Sequence, residues 1–173
     1  MLSATPPGLA ATTRLPRARQ RPQLYTAEQR KRRDATRWTL VQGLLAPVQF
    51  FVFLVSLVLV LRFLASGQGE TAAVVSVLAK TSLLYAIMVT GCIWEKVVFD
   101  CYLFAPAFFW EDVFSMLVLA LHTAYLAAWL FGWLTVDQQM WLALAAYASY
   151  AINATQFILK LRAARLDTQA AAA

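Results

Sequence analysis

Charge is scarce in this chain: Asp, Glu, Lys and Arg make up 14% of its 173 residues, against about 25% in a typical soluble domain. Hydrophobic residues make up 61% and the mean hydropathy is +0.59. That balance excludes an ordinary water-soluble globule, and a disordered or collagen-like chain as well. Cysteine is nearly missing. Cys92 and Cys101 are too few for a disulfide framework. His122 is the single histidine, which argues against a structural zinc site. The first 24 residues lack any apolar run and hold four of the six prolines. They are expected to be a disordered basic tail rather than a signal peptide. A mass of 19.3 kDa leaves room for one domain.

What charge there is lies unevenly. Residues 1–39 carry nine basic and two acidic side chains, a net of +7, and the remainder carries six basic and seven acidic, a net of −1. A basic tail can address nucleic acid or the cytoplasmic flank of a membrane protein. The sequence after it favours the membrane. Leu40 to Leu61 and Gln138 to Leu159 are 22-residue stretches without a charge, Val113 to Val136 is a 24-residue one, and Thr71 to Trp94 carries only Lys80. About 20 apolar residues cross a bilayer as a helix. The expected fold is all-α: an integral-membrane four-helix up-down bundle over 40–165, preceded by a basic interfacial helix over 25–39 and followed by a disordered 166–173. The loops on one side contribute only Glu70 and Asp137, so both termini are expected on the cytoplasmic side. Trp38, Trp94, Trp110, Trp133 and Trp141 fall near span ends, as interface anchors do. Thr26 to Gln29 has capping-box spacing and marks the start of the interfacial helix. Its basic run reads as a topology signal and a lipid contact, with no nucleic acid as partner.

Polar side chains in hydrocarbon are costly and mark an interior, a wet cavity or a function. Gln42, Gln49 and Ser56 recur every seven residues, and Ser149, Asn153, Gln156 and Lys160 at intervals of four, three and four. Each set lies on one helix face. Glu95, Lys96 and Asp100 close the second span and Glu111 and Asp112 open the third. Folding the four helices gathers these groups in the cytoplasmic half and leaves the outer half nearly apolar. A polar pocket opening toward the cytoplasm is expected. Simpler roles exist for each: a Lys96–Asp100 pair, acids at a helix start, amides as interhelical glue, a snorkelling Lys160. His122, near mid-bilayer, either bonds a neighbouring carbonyl or hydroxyl or acts as a metal ligand.

Three strings carry a family likeness: Leu24-Tyr-Thr-Ala-Glu-Gln-Arg-Lys-Arg-Arg-Asp34, Trp38-Thr-Leu-Val-Gln-Gly-Leu-Leu-Ala-Pro47 and Gly91-Cys-Ile-Trp-Glu-Lys-Val-Val-Phe-Asp-Cys-Tyr-Leu-Phe-Ala-Pro-Ala-Phe-Phe-Trp-Glu-Asp112. From about Leu24 to Arg165 the chain resembles the 3-vinyl bacteriochlorophyllide hydratases of phototrophic bacteria. The resemblance implies addition of water across the C3 vinyl group of a chlorophyllide-type tetrapyrrole, giving a 1-hydroxyethyl group, a step in making bacteriochlorophyll. It implies no cofactor beyond the magnesium that the substrate carries, and a place in the bacterial inner (intracytoplasmic) membrane. Lipid and substrate are the expected partners, with a second copy or neighbouring pathway enzymes as further candidates. Such chemistry needs a proton donor at the vinyl terminus and a base for the attacking water. Glu95 and Asp112 are the candidate pair, with Glu111 behind them. Lys96 is the candidate for the substrate's propionate, His122 for an axial bond to its magnesium, and Gln49, Asn153 and Gln156 for the pocket wall. The competing readings are a non-catalytic pigment-binding or assembly subunit of a photosynthetic complex, and a proton or ion pathway.

Overall fold

The computed structural model describes the backbone from Leu24 to Ala172 and the side-chain surroundings as far as Leu166. The expected tail lies outside these residues except for Leu24. Five helices follow in order: α1 Ala27–Ala35, α2 Arg37–Ser66, α3 Glu70–Phe99, α4 Phe109–Phe131 and α5 Val136–Ala172. The last four are each long and apolar enough to cross a membrane. At 30 residues, α2 and α3 are each about 45 Å long, well beyond the roughly 30 Å of hydrocarbon. Their ends therefore reach past the apolar layer.

Tight left-handed turns close the hairpins. Gly67, Gly69 and Gly132 have φ of 67°, 85° and 63° at the helix ends, a region that lets the chain reverse within a few residues. The α2–α3 and α4–α5 hairpins stack antiparallel, so both termini lie at one end of the bundle. At the loop end the helices close on Phe53, Val60, Val77, Tyr125, Met140 and Tyr147. Ala73, Ala128, Ala143 and Ala146 are at most 2% exposed and let the helices approach closely. Leu40, Leu44, Phe51, Val58, Trp110, Trp133 and Trp141 face outward, as a bilayer requires.

The basic segment is shorter than expected from the sequence. α1 stops at Ala35, and Thr36, in extended backbone, caps the next helix through the Trp38 amide. Trp38 thus belongs to the first span. The capping box is present: Thr26 Oγ1 accepts from the Gln29 amide and Gln29 Oε1 from the Thr26 amide. Immediately before it, Tyr25 is 5% exposed and stacks on Phe99, with Phe108 and the Arg33 guanidinium also on its ring. Burial pushes the Tyr25 phenol above its ordinary pKa. Trp94 joins this aromatic cluster edge-on to Phe99 and Phe108 and donates its indole N–H to Thr39. It is a packing residue rather than a lipid anchor. At the other end, α5 runs on to Ala172, beyond the expected boundary at 165. An alanine-rich end favours continued helix.

Arg32 fixes the far side of α1. Its guanidinium lies 2.6 Å from the Asp100 carboxylate, and this contact holds the Asp100 carboxyl below its ordinary pKa. A depressed carboxyl pKa gives a docking contribution that is present above the unfolded value near 4 and fades as pH falls through the lower folded value. The pair is exposed, so the contribution is small. Asp100 also has φ of 65°, which Asn tolerates. Asp100→Asn therefore removes the pair and keeps the turn. Trypsin should then cut modestly faster at Arg30 and Lys31, and an unchanged rate would show that the pair does not hold α1.

Candidate functional site

At the end of the bundle where α1 lies, residues of all five helices surround one space. The space between them is a cavity of about 1160 Å³, beyond the 300–1,000 Å³ usual for small-molecule sites. Apolar and aromatic side chains dominate its wall, among them Leu84, Ile87, Met88, Trp94, Phe108 and Phe157. Pro47 and Gly43 line its α2 side, where the ring of Pro47 denies the Gly43 carbonyl its usual helical donor. The polar members are few. Gln49, Glu95, Asp112, Ser115 and Asn153 face it from four helices, and Arg30, Arg33, Asp34 and Arg165 stand where α1 and the end of α5 border it.

Glu95 and Asp112 form its chemical centre. Both are largely buried, at 6% and 4% exposure. Both line the cavity, and two successive amides of one loop reach them. The 100–108 loop is shaped around them. The Phe104 amide donates to Asp112 Oδ2 at 2.8 Å and the Ala105 amide to Glu95 Oε2 at 3.3 Å. Phe104 has φ of 61°, rare for a bulky residue and sustained only by its surroundings. That left-handed residue aims two successive N–H groups at two carboxyls, a small anion-binding nest.

The other candidates divide. Asn153 Nδ2 donates to Ser115 Oγ at 2.8 Å, while its Oδ1 and the Gln49 Oε1 are buried without a protein partner. Both amides line the cavity. Glu111 does not: it turns to Lys160 at 2.5 Å and forms a part-buried ion pair between α4 and α5. Gln156 is also outside the lining residues, as is Lys96. Lys96 follows Glu95 directly and points some 100° away from it around the helix. It is exposed and its Nζ donates to the Asp100 carbonyl, so the expected Lys96–Asp100 ion pair is replaced by Arg32–Asp100.

His122 is fully buried toward the loop end and does not line the cavity. Its Nδ1 lies 2.8 Å from the Val118 carbonyl, so Nδ1 carries the hydrogen and Nε2 keeps an unused lone pair. Its ring is 5.9 Å from that of Tyr147. The loop-end half is more polar than the sequence implied. Ser56 bonds Tyr147 and Ser76, and Lys80 Nζ sits 3.7 Å from the Tyr150 ring centroid. Tyrosines in apolar runs conceal such hydroxyls from a reading based on charge. Sequence reasoning also missed α1 as part of the cavity wall. The signal was Tyr25, an aromatic residue directly before a capping box, where a hydrophobic staple would sit.

Residues 25–163 match a family described as 2-vinyl bacteriochlorophyllide hydratase. The chain belongs to this hydratase family. The locants 2 and 3 are the older and the systematic numbers of one ring position. A 2-vinyl bacteriochlorophyllide hydratase of Cereibacter sphaeroides is 70% identical over 148 residues, spanning 86% of this chain and 92% of that protein. One of the same name from Rhodobacter capsulatus is 66% identical over 152 residues, 88% of each chain. No solved structure matches the chain. The hydratase match includes α1 and the 100–108 loop, the two segments that shape the cavity beyond the four spans.

Proposed function

We propose that this chain adds water to the vinyl group of a bacteriochlorophyllide, with Glu95 and Asp112 as its acid–base pair. One observation carries the reading: two buried carboxyl groups, each met by an amide of the same loop, face a largely apolar cavity large enough for a macrocycle. The chemistry follows from the substrate. A proton passes from the pair to the terminal vinyl carbon, leaving a cation beside the ring, where the π-system spreads its charge. Water attacks the cationic carbon next to the ring, and its surplus proton returns to the carboxylate. The pair ends with the proton count it began with, and no cofactor takes part. The Phe104 and Ala105 amides steady the negative charge that appears on the pair between the two steps. Gln49 and Asn153 offer unused amide oxygens to orient the water.

The direct test is turnover. Membranes holding the chain should convert a vinyl bacteriochlorophyllide to a product heavier by one water. A pigment-binding subunit would retain the pigment unchanged, and a proton pathway would conduct without it.

With His122 outside the cavity wall, His122→Ala should leave pigment affinity unchanged. A weakened affinity would place the macrocycle deeper, with Nε2 as the axial ligand of its magnesium.

The membrane setting follows the same reading. The basic residues gather at the termini end, which we place on the cytoplasmic side of the bacterial inner (intracytoplasmic) membrane. Reporters fused at residue 68 and after Ala173 should report opposite sides, with the second cytoplasmic. The reverse orientation would put the cavity mouth on the other face.

A further inference from the structure

The fate of each cation at the termini end identifies two that are unspent. Arg32 is held by Glu28 and Asp100, Arg33 by Asp34 and the Tyr25 ring, and Lys160 by Glu111. Lys96 is bonded to the Asp100 carbonyl and lies outside the cavity. Lys31, Arg37 and Arg162 are exposed and do not line it either. Only Arg30 and Arg165 combine a place on the cavity wall with a guanidinium that has no ion pair or side-chain hydrogen bond among the described residues. They come from two helices, Arg30 from α1 and Arg165 from the end of α5. Each offers a planar fork of donors matched to a carboxylate. The remaining acid on this rim, Asp34, already belongs to Arg33.

We propose that Arg30 and Arg165 are the residues that bind the propionate carboxylate of the substrate. This rests on the hydratase reading above. The cavity has its reacting carboxyl pair on α3 and α4 and its free positive charge on α1 and the end of α5. A macrocycle with one anionic arm is oriented by those two poles: the arm goes to the arginines and the apolar ring fills the wall between. An esterified arm loses the charge and gains bulk at a rim built for neither.

The test compares a free-acid vinyl bacteriochlorophyllide with its methyl ester, in membranes holding the full chain. For the unaltered protein the ester should show the higher KM. Arg30→Gln and Arg165→Gln should each raise KM for the free acid by roughly 10- to 100-fold, the value of a hydrogen-bonded charge, with kcat little changed and the ester unaffected. Arg30→Lys should recover part of the loss. Acid and ester responding alike in every variant would overturn the proposal, and so would equal loss on both substrates, which marks a structural role for the arginines. If the unaltered protein hydrates neither compound, the hydratase reading itself falls and takes the proposal with it.

Discussion

Glu95→Gln should abolish most hydration while leaving pigment bound. The amide keeps the size of the side chain and can still accept from the Ala105 amide, but it holds no transferable proton. Loss of general acid–base catalysis typically costs about 10²- to 10⁴-fold in rate. Asp112→Asn should fall in the same range, and the double variant should be little worse than either, since the two residues act as one acid–base unit. Pigment affinity should hold because the apolar wall, with Trp94, Phe108 and Phe157, is left untouched. Conversion of the vinyl group at matched protein levels, alongside pigment retention, separates these effects. Near-normal turnover by both single variants would show that the pair is structural.

Lys160→Met should destabilise the bundle strongly. Glu111 is 10% exposed at its side chain and Lys160 is its sole ion-pair partner among the described residues. Removing one member of a buried pair costs about 3–5 kcal/mol, because the other charge is left uncompensated. Lys160 is itself 26% exposed, so water can reach the pair and the lower end of that range applies. Adding Glu111→Gln should restore most of the stability, read as the thermal transition in detergent. The double variant also decides a chemical question. Glu111 lies outside the cavity, so the repaired protein should still hydrate its substrate. A stable but inactive double variant would return Glu111 to the reaction.

The spans were legible because bilayer thickness imposes a length and hydrocarbon forbids charge, and both rules are visible residue by residue. The stripe of Gln42, Gln49 and Ser56 also predicted an interior face, and its members serve three purposes there: Gln42 bonds Thr90 on α3, Gln49 faces the cavity, and Ser56 bonds Tyr147. The choice between Glu111 and Asp112 was not legible. Neighbours on a helix differ by about 100° in direction, and which one meets Glu95 depends on how α4 is rotated by its packing. The left-handed turn at Phe104 was hidden too, since no glycine or asparagine marks it. Arg30 was read as one charge in a basic run facing lipid. Its place on the cavity wall depends on Tyr25 anchoring α1 beside the cavity, a contact between residues far apart in sequence.

A density map of the protein with a vinyl bacteriochlorophyllide bound tests the account most directly. The macrocycle should lie between α2, α3 and α5 beside α1, with the terminal vinyl carbon against the Glu95 and Asp112 carboxyls. A pigment seated on the outer, lipid-facing surface, or with its vinyl group turned away from both carboxyls, would contradict it.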